Sequence, residues 1–333
     1  MLTLLLFLQA SPAPQRPAQL TRFLEQSIGF GTEQLATVER GEPVVKVLET
    51  KDRRDVAVFG IITTPVAREQ YVRALRDFAA SLRTPGRTQL GIFSNPAVES
   101  DVAAVTINSR DVADMKNCKP GDCVVKLPAT DMRQIHAEMN WSASPSDLQT
   151  QLNAYARRRL VEYVTDYRTR GDSAMAIYDD RGNLNQRSSE AFAAQLAESP
   201  YVYENVPSLR NYLATYPHGA LAAGAAEILF WSEDVLPRLR PILSVTHLVV
   251  YAPPELPSVT LVARKQIYAN HYFETAVDLT CVIDREPGSY LLVLRRYRFD
   301  NLPGGILNIR GRAIGALRDQ LALDLRRQQT TGN

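Results

Sequence analysis

Histidine and cysteine are scarce in this chain, which has four His and three Cys among its 333 residues. A structural zinc site needs four ligands, and only His136 lies near the cysteine pair Cys118 and Cys123. The C-x-x-C spacing of thioredoxin-like redox sites is also missing. We therefore expect neither a metal ion nor a cofactor.

The chain also lacks the short motifs that mark several enzyme classes. It has no Gly-x-Ser-x-Gly nucleophile elbow, no GxxxxGK(S/T) phosphate loop and no GxGxxG dinucleotide loop. Gly304 and Gly305, at a predicted helix start, would suit an anion, but two glycines alone are a weak match. Catalysis would therefore have to depend on individual side chains rather than on a recognisable motif.

A strong charge of one sign is absent as well, since 38 Lys and Arg stand against 36 Asp and Glu, for a net charge of +2. This balance creates no field that would draw the chain to nucleic acid. Five arginines do cluster near the C-terminus, where they form a solvated rim or contact a carboxylate, a phosphate or anionic lipid. They are Arg295, Arg296, Arg298, Arg310 and Arg312. We expect no nucleic-acid partner and retain peripheral membrane contact as an alternative.

The N-terminal residues 1–13 combine an apolar run with the small residues of a secretory cleavage site. The run lacks the basic residues that usually precede such a segment, and it is too short to span a bilayer. A Pro-rich spacer follows at residues 11–20. We expect a periplasmic or secreted protein, with a buried N-terminal helix as the alternative interpretation of the run.

The cysteine pair agrees with export. Cys118 and Cys123 bracket a Pro-Gly turn in the sequence Cys-Lys-Pro-Gly-Asp-Cys. Such a turn brings its ends close enough for a disulfide, which an oxidising compartment would preserve. Free thiols, or a redox or metal-binding role, are the alternatives. Cys281 falls on the apolar face of a predicted strand and is expected to be a core residue.

The last quarter of the chain, residues 259–327, has the clearest periodicity and predicts three long strands followed by one long helix. In the middle strand, one face is apolar and the residues between are more polar. This alternation is typical of a sheet that covers a core on one face only. The apolar face consists of Phe273, Thr275, Val277, Leu279, Cys281 and Ile283.

Two further strands are expected at residues 44–48 and 56–62, joined by a charged hairpin tip. Thr64 and Pro65 have the residue types of an N-cap and a first helical residue, and they predict a helix that begins there. The most regular helix of the central region is predicted over residues 146–168. This succession of strands, helices, strands and a terminal helix is an α+β order.

The element order resembles the START-like, or SRPBCC, helix-grip superfamily, in which a curved antiparallel sheet grips a long C-terminal helix around an apolar pocket. The resemblance is carried by residues 41–48, 56–62 and the Thr64-Pro65 helix, and by residues 259–327. It implies a single α+β domain over residues 21–333, with a helix-rich central insertion at about residues 130–225. The superfamily includes lipid and sterol carriers, cyclases and ligand sensors, so the fold alone leaves the function open.

The most unusual polar stretch lies at the junction of two predicted strands. There, Lys265, Tyr268, His271 and Tyr272 are expected to point into the pocket and orient the polar end of a ligand. One alternative is an exposed polar hairpin. The other is catalysis by His271 with Tyr268 or Glu274 as its partner.

Three more residues complete the predicted ligand-binding set: Trp231 in an aromatic-acidic stretch, His247 inside an apolar strand, and Arg295 near the end of the last strand. Each also has an ordinary structural interpretation, namely aromatic packing, a hydrogen-bonded core histidine and a solvated rim. His247 would share a site with His271 only if their strands are neighbours.

The favoured function is binding or transport of a hydrophobic, lipid-like small molecule between the sheet and the C-terminal helix. A cyclase-like or hydrolytic enzyme on the same scaffold is the first alternative. A structural or interaction module without a pocket is the second, and a cavity of roughly 300 Å³ or more would argue against it.

Overall fold

A computed structural model describes residues 16–180, 185–199, 204, 206–221, 224–236, 239–300 and 309–330. The apolar N-terminal run and the Gly304-Gly305 pair lie outside the described residues. All statements of structure below refer to the described residues.

An antiparallel sheet of eight strands organises the chain. Its strands are β1 (Val44–Leu48), β2 (Asp55–Thr64), β3 (Arg87–Ile92), β6 (Ala226–Asp234), β7 (Ile242–Tyr251), β8 (Val259–Ala269), β9 (Phe273–Asp284) and β10 (Ser289–Phe299). The spatial order is β1-β2-β10-β9-β8-β7-β6-β3. The sheet is not closed, since β1 and β3 form its two edges. A separate small ribbon pairs β4 (Ile177–Tyr178) with β5 (Gln186–Arg187).

Helices surround this sheet, and they are concentrated between β3 and β6. They are α1 (Ala18–Arg22, continued by a π-helical turn over Phe23–Ile28), α2 (Thr32–Glu39), α3 (Arg68–Arg76), α4 (Phe78–Ser81), α5 (Ser109–Met115), α6 (Ala129–Glu138), α7 (Pro145–Arg170), α8 (Ser188–Ala197), α9 (Pro207–Thr215) and α10 (Ile309–Thr330). None of the helices described here is long and apolar enough to cross a membrane. The predicted α+β fold is confirmed: a large antiparallel sheet, a C-terminal helix packed on it and a helix-rich centre.

The two faces of the sheet carry separate apolar cores. Leu292 and Leu294 of β10 point to the face that we call the inner face, where α1, α2, α7, α8 and α9 pack. Leu291 and Val293 point to the opposite, outer face, where α10 packs. Because side chains alternate along a strand, the run Leu-Leu-Val-Leu buries apolar surface on both sides at once.

Helix α10 lies directly on strand β2. Leu321 and Leu325 are buried, and a Cβ atom at Gly60 would lie 2.7 Å from Cδ1 of Leu325 and 3.0 Å from Cδ2 of Leu321. The helix approaches this closely only because residue 60 has no side chain. No space for a ligand remains between helix and strand at this point.

This close contact gives a matched test. Gly60→Ala is expected to reduce the free energy of unfolding by about 1–3 kcal/mol, because the new methyl group overpacks the contact with Leu321 and Leu325. Gly315→Ala, on α10 where no atom lies within 4 Å of the added carbon, is expected to raise it by up to ~1 kcal/mol. Urea unfolding measures both, and equal effects of the two substitutions would contradict the docking geometry.

One local prediction is wrong. Thr64 does not cap a helix but ends β2, where it pairs with Ser289 of β10. Its hydroxyl donates to the carbonyl of Gln328 in α10 at 3.0 Å, and the next helix begins only at Arg68. The hydroxyl oxygen still accepts the N–H of Val66 at 3.2 Å, but the pairing of Thr64 with β10 keeps the residue in the sheet rather than at a helix start.

Candidate functional site

A cavity of about 180 Å³ lies on the inner face and is almost wholly apolar. Its floor is the sheet, through Phe59, Leu279, Cys281, Leu292 and Leu294. Its cover comes from Leu20 and Phe23 near the N-terminus and from Val206 and Leu209 at the start of α9. We call this the apolar cavity. Leu279, Cys281 and Ile283, which line it, belong to the strand face that the sequence periodicity identifies.

Cys281 is a free thiol on the floor of the apolar cavity. Burial raises its pKa to about 12, because a thiolate would lose its hydration there. The thiol is therefore neutral at physiological pH and behaves as a small apolar side chain rather than as a nucleophile.

A second cavity, of about 520 Å³, lies between helices α6 and α7 and the end of the sheet. We call it the mixed cavity, because its lining combines leucines and tyrosines, Tyr268 among them, with charged groups. Four of these charged residues form ion pairs with one another: Arg159 bonds Asp131 at 3.1 Å, and Arg170 bonds Asp166 at 2.8 Å.

A ring of charged side chains, joined by the amide of Gln186, occupies the inner face beyond the apolar cavity. We call it the charged ring, and its members are Asp52, Arg54, Asp55, Gln186, Glu198, Glu274, Arg296 and Arg298. Arg298 contacts Asp52 at 2.6 Å, Glu274 at 3.2 Å and Asp55 at 3.3 Å. Arg296 bonds Glu198, at the end of α8, at 2.7 Å.

Burial dominates the electrostatics of two carboxyls in this ring, those of Glu274 and Asp55. It raises the pKa of Glu274 to about 7, although Arg54 and Arg298 oppose the shift. Burial also raises the pKa of Asp55, against the opposing charges of Arg298 and Arg296. Both carboxyls therefore hold their protons more tightly than exposed acids do.

Lys265 and His247 face each other on neighbouring strands, β8 and β7. The ammonium of Lys265 is ion-paired with Asp172, and it lies 3.7 Å from the ring centre of Phe192. The Nδ1 and Nε2 atoms of His247 lie 3.2 Å from the hydroxyl of Tyr167 and from the carboxylate of Glu227, respectively. Burial lowers the pKa of both Lys265, to about 8, and His247. The structure brings these two predicted residues together.

The other residues of the polar junction have separate partners. His271 bonds Asp111 through Nε2 at 2.9 Å, and the hydroxyl of Tyr272 accepts the backbone N–H of Arg240 at 2.9 Å. Tyr268 lines the mixed cavity. Within the described part of the chain, no hydrogen bond joins His271 to Tyr268 or to Glu274.

Trp231 and Arg295 lie away from both cavities. The indole of Trp231 donates to the carbonyl of Asp101 at 2.9 Å. Arg295 points to the outer face, where it bonds Asp278 at 3.1 Å and Asp324 of α10 at 2.9 Å. The predicted ligand-binding residues are thus distributed over both faces of the sheet rather than gathered in one site.

The burial of the charged ring was not predicted from the sequence. In the sequence, Arg296 and Arg298 are grouped with Arg295 in one C-terminal cluster, although their places in the strand alternation separate them from Arg295. Arg296 and Arg298 continue the alternation of Leu292 and Leu294, so they point to the inner face. A charged residue in the phase of the apolar residues indicates a buried ion pair.

Cys118 and Cys123 are joined as a disulfide, with their Cα atoms 4.5 Å apart. The carbonyl of Cys118 is also 2.6 Å from Nε2 of His136. No group of three or more His, Cys, Asp or Glu in the described ranges is placed to hold a metal ion.

Comparison of the chain with protein-family models, with curated proteins and with solved structures found no match.

Proposed function

We propose that the protein binds a hydrophobic, lipid-like small molecule through an unbranched apolar chain held in the apolar cavity. The observation that carries this proposal is the lining: the floor is a continuous apolar patch of β2, β8, β9 and β10, and the cover is apolar as well. Burying an alkyl chain there would gain roughly 0.8 kcal/mol per methylene group.

This location differs from the pocket of a helix-grip protein. The large antiparallel sheet and the C-terminal helix are compatible with that superfamily, and we propose membership on this basis. The close approach of Leu321 and Leu325 to Gly60 leaves no room for a ligand between α10 and β2 at this point. We therefore assign the ligand to the inner face, beneath α1 and α9.

The size of the cavity favours one class of lipid. At about 180 Å³ it is smaller than the roughly 300 Å³ at which pockets for drug-sized molecules begin. A slim alkyl chain fits such a space better than the fused rings of a sterol. Export to the periplasm or the cell exterior, where the disulfide of Cys118 and Cys123 would persist, is part of the same proposal.

Binding of cis-parinaric acid, an unbranched fluorescent fatty acid, tests the proposal. Cys281→Phe, which fills the apolar cavity from its floor, is expected to weaken binding about tenfold or more, or ~1.4 kcal/mol. Ala156→Phe, which fills the mixed cavity, and Ala154→Phe, on the exposed side of the same helix, are expected to change the affinity less than about twofold. Thermal melting of each variant checks that it remains folded.

The outcomes separate the hypotheses. A larger loss in Ala156→Phe than in Cys281→Phe would move the ligand to the mixed cavity. Absence of binding by the unmodified protein, with no lipid detected by mass spectrometry after solvent extraction, would favour a structural module. Release of a chemically altered lipid would favour an enzyme.

A further inference from the structure

A second feature of the inner face is a set of buried polar atoms without hydrogen-bond partners. They belong to five side chains on the facing surfaces of α8 and the sheet, each at most 2% exposed. The atoms are Oδ1 of Asp55, Oγ of Ser188, Oε1 and Nε2 of Gln195, Oγ of Ser199 and Nε of Arg296. We call the part of this interface bounded by Asp55, Gln195, Ser199 and Arg296 the polar seam; Ser188, at the opposite end of α8, lies outside it.

Unpartnered buried polar groups are rare, because each has given up its hydrogen bonds to water. Six such atoms on two facing surfaces are too many for an empty, dry interface. Their number indicates that a polar guest, either water or part of a ligand, completes their hydrogen bonding.

The sheet side of the seam begins where the floor of the apolar cavity ends. Phe59, Leu294 and Leu279 stand side by side on β2, β10 and β9, and all three line the cavity. The next row of residues on the inner face has Arg296 at its centre. It lies two residues further along each strand, roughly 6–7 Å from the row of Phe59, Leu294 and Leu279. A molecule whose chain lies in the cavity with its polar end toward this row would hold that end one row from Arg296.

Helix α8 supplies the other side. Arg296 bonds the carboxylate of Glu198 at 2.7 Å, which places the end of α8 over this row. Gln195 and Ser199 lie within one turn of Glu198, on the buried side of the helix. Their unpartnered atoms thus belong to the part of α8 nearest to Arg296.

The charges of the seam are already compensated. Arg296 is paired with Glu198, while Arg298 is paired with Asp52, Asp55 and Glu274. The unpartnered atoms include both donors and acceptors. An ionised head group would add a buried charge with no free counter-charge, whereas a neutral hydroxyl or amide can donate and accept.

We propose that the polar seam binds the neutral hydroxyl- or amide-bearing head group of the amphiphile whose chain occupies the apolar cavity. The inference rests on the proposed function and adds the chemical class of the ligand: a single-chain alcohol, glycerol ester or amide rather than an ionised fatty acid. Gln195 and Ser199 contact this head group from α8, and Arg296 contacts it from β10.

Displacement of cis-parinaric acid by decanol, decanamide and decanoate at neutral pH tests the assignment. For the unmodified protein, decanol and decanamide are expected to displace the probe at roughly tenfold lower concentration than decanoate. The selectivity ratio is the displacing concentration of decanoate divided by that of decanol or decanamide. Gln195→Leu is expected to reduce this ratio to about threefold or less, because it removes both a donor and an acceptor from the seam. Ser199→Ala is a second, smaller change at the same end of α8.

Ser188→Ala is the matched control. It removes an unpartnered atom from the opposite end of α8, about 10 Å from Gln195 along the helix, and is expected to leave the ratio unchanged. Thermal melting checks that Gln195→Leu and Ser188→Ala remain folded.

Three results would overturn the assignment. One is a preference of the unmodified protein for decanoate, and another is a ratio that Gln195→Leu leaves unchanged, which would mean that the seam holds only water. A ratio altered equally by Ser188→Ala is the third. These results differ from failure of the proposed function, in which neither cis-parinaric acid nor its uncharged methyl ester binds, or Cys281→Phe has no effect on their affinity.

Discussion

Replacing Asp172 with alanine is expected to destabilise the protein by about 3–5 kcal/mol. The side chain of Lys265 is 1% exposed, and Asp172 is the charged partner of its ammonium group. Its other hydrogen bond goes to the carbonyl of Leu213 at 3.2 Å, and it lies against the ring of Phe192. Removing Asp172 leaves a cation without a counter-charge in surroundings that cannot hydrate it.

The double variant Asp172→Ala/Lys265→Met separates the pair from its components. Removing both charges is expected to recover most of the lost stability, since methionine fills a similar volume without a desolvation cost. Urea unfolding of the single and double variants forms the cycle. A loss of less than ~1 kcal/mol in Asp172→Ala would contradict the buried ion pair, as would a double variant no more stable than the single.

The same pair predicts a pH dependence. Burial lowers the pKa of Lys265 to about 8, from 10.5 for an exposed lysine. Between these two pKa values, Lys265 is protonated in the unfolded chain but has released its proton in the folded protein. Because the unfolded state binds more protons there, Lys265 makes the free energy of unfolding rise with pH in this window. Below a pH of about 8 its contribution does not change with pH. In Asp172→Ala the pKa of Lys265 in the folded protein falls further, so the rise in stability begins at lower pH.

Gly171→Ala is expected to lower the free energy of unfolding by more than ~3 kcal/mol, which is the second large effect. Gly171 follows the last residue of α7 with φ 54° and ψ −132°, a conformation that is essentially restricted to glycine. A Cβ atom there would lie 1.6 Å from the carbonyl oxygen of Tyr216. The substitution would therefore push α9 away from α7 and break the stacking of Tyr167 on Tyr216, whose ring centres are 5.1 Å apart.

Gly224→Ala is the control, because Gly224 also has a positive φ, of 93°, but no atom within 4 Å of the added carbon. It isolates the cost of the backbone conformation, about 1–2 kcal/mol. If Gly171→Ala costs no more than Gly224→Ala in urea unfolding, the close approach to Tyr216 is not a determinant of stability.

The strands and the C-terminal helix followed from periodicity, yet the location of the cavity did not. The alternation in β9 indicated one covered face, with the more polar side left to solvent. In the structure, Asp278 on that side bonds Arg295, which in turn bonds Asp324 of α10. The polar side is thus covered too, and the apolar run Leu291 to Leu294 was the better indicator of burial on both faces.

The side-chain clusters were less predictable for a different reason. Lys265 and His247 were both recognised as unusual, but their contact depends on the register of β7 against β8, which includes an irregularity after Val245. Asp172 comes from a distant segment that no local pattern connects with Lys265. Periodicity records which face a residue occupies, whereas a buried ion pair depends on where remote segments meet.

The position of β10 has a consequence for biosynthesis. The last strand of the chain lies between β2, from the N-terminal region, and β9, and it hydrogen-bonds to both. The floor of the apolar cavity therefore cannot assemble until β10 has been synthesised, and closing the long loop between β2 and β10 makes folding slow.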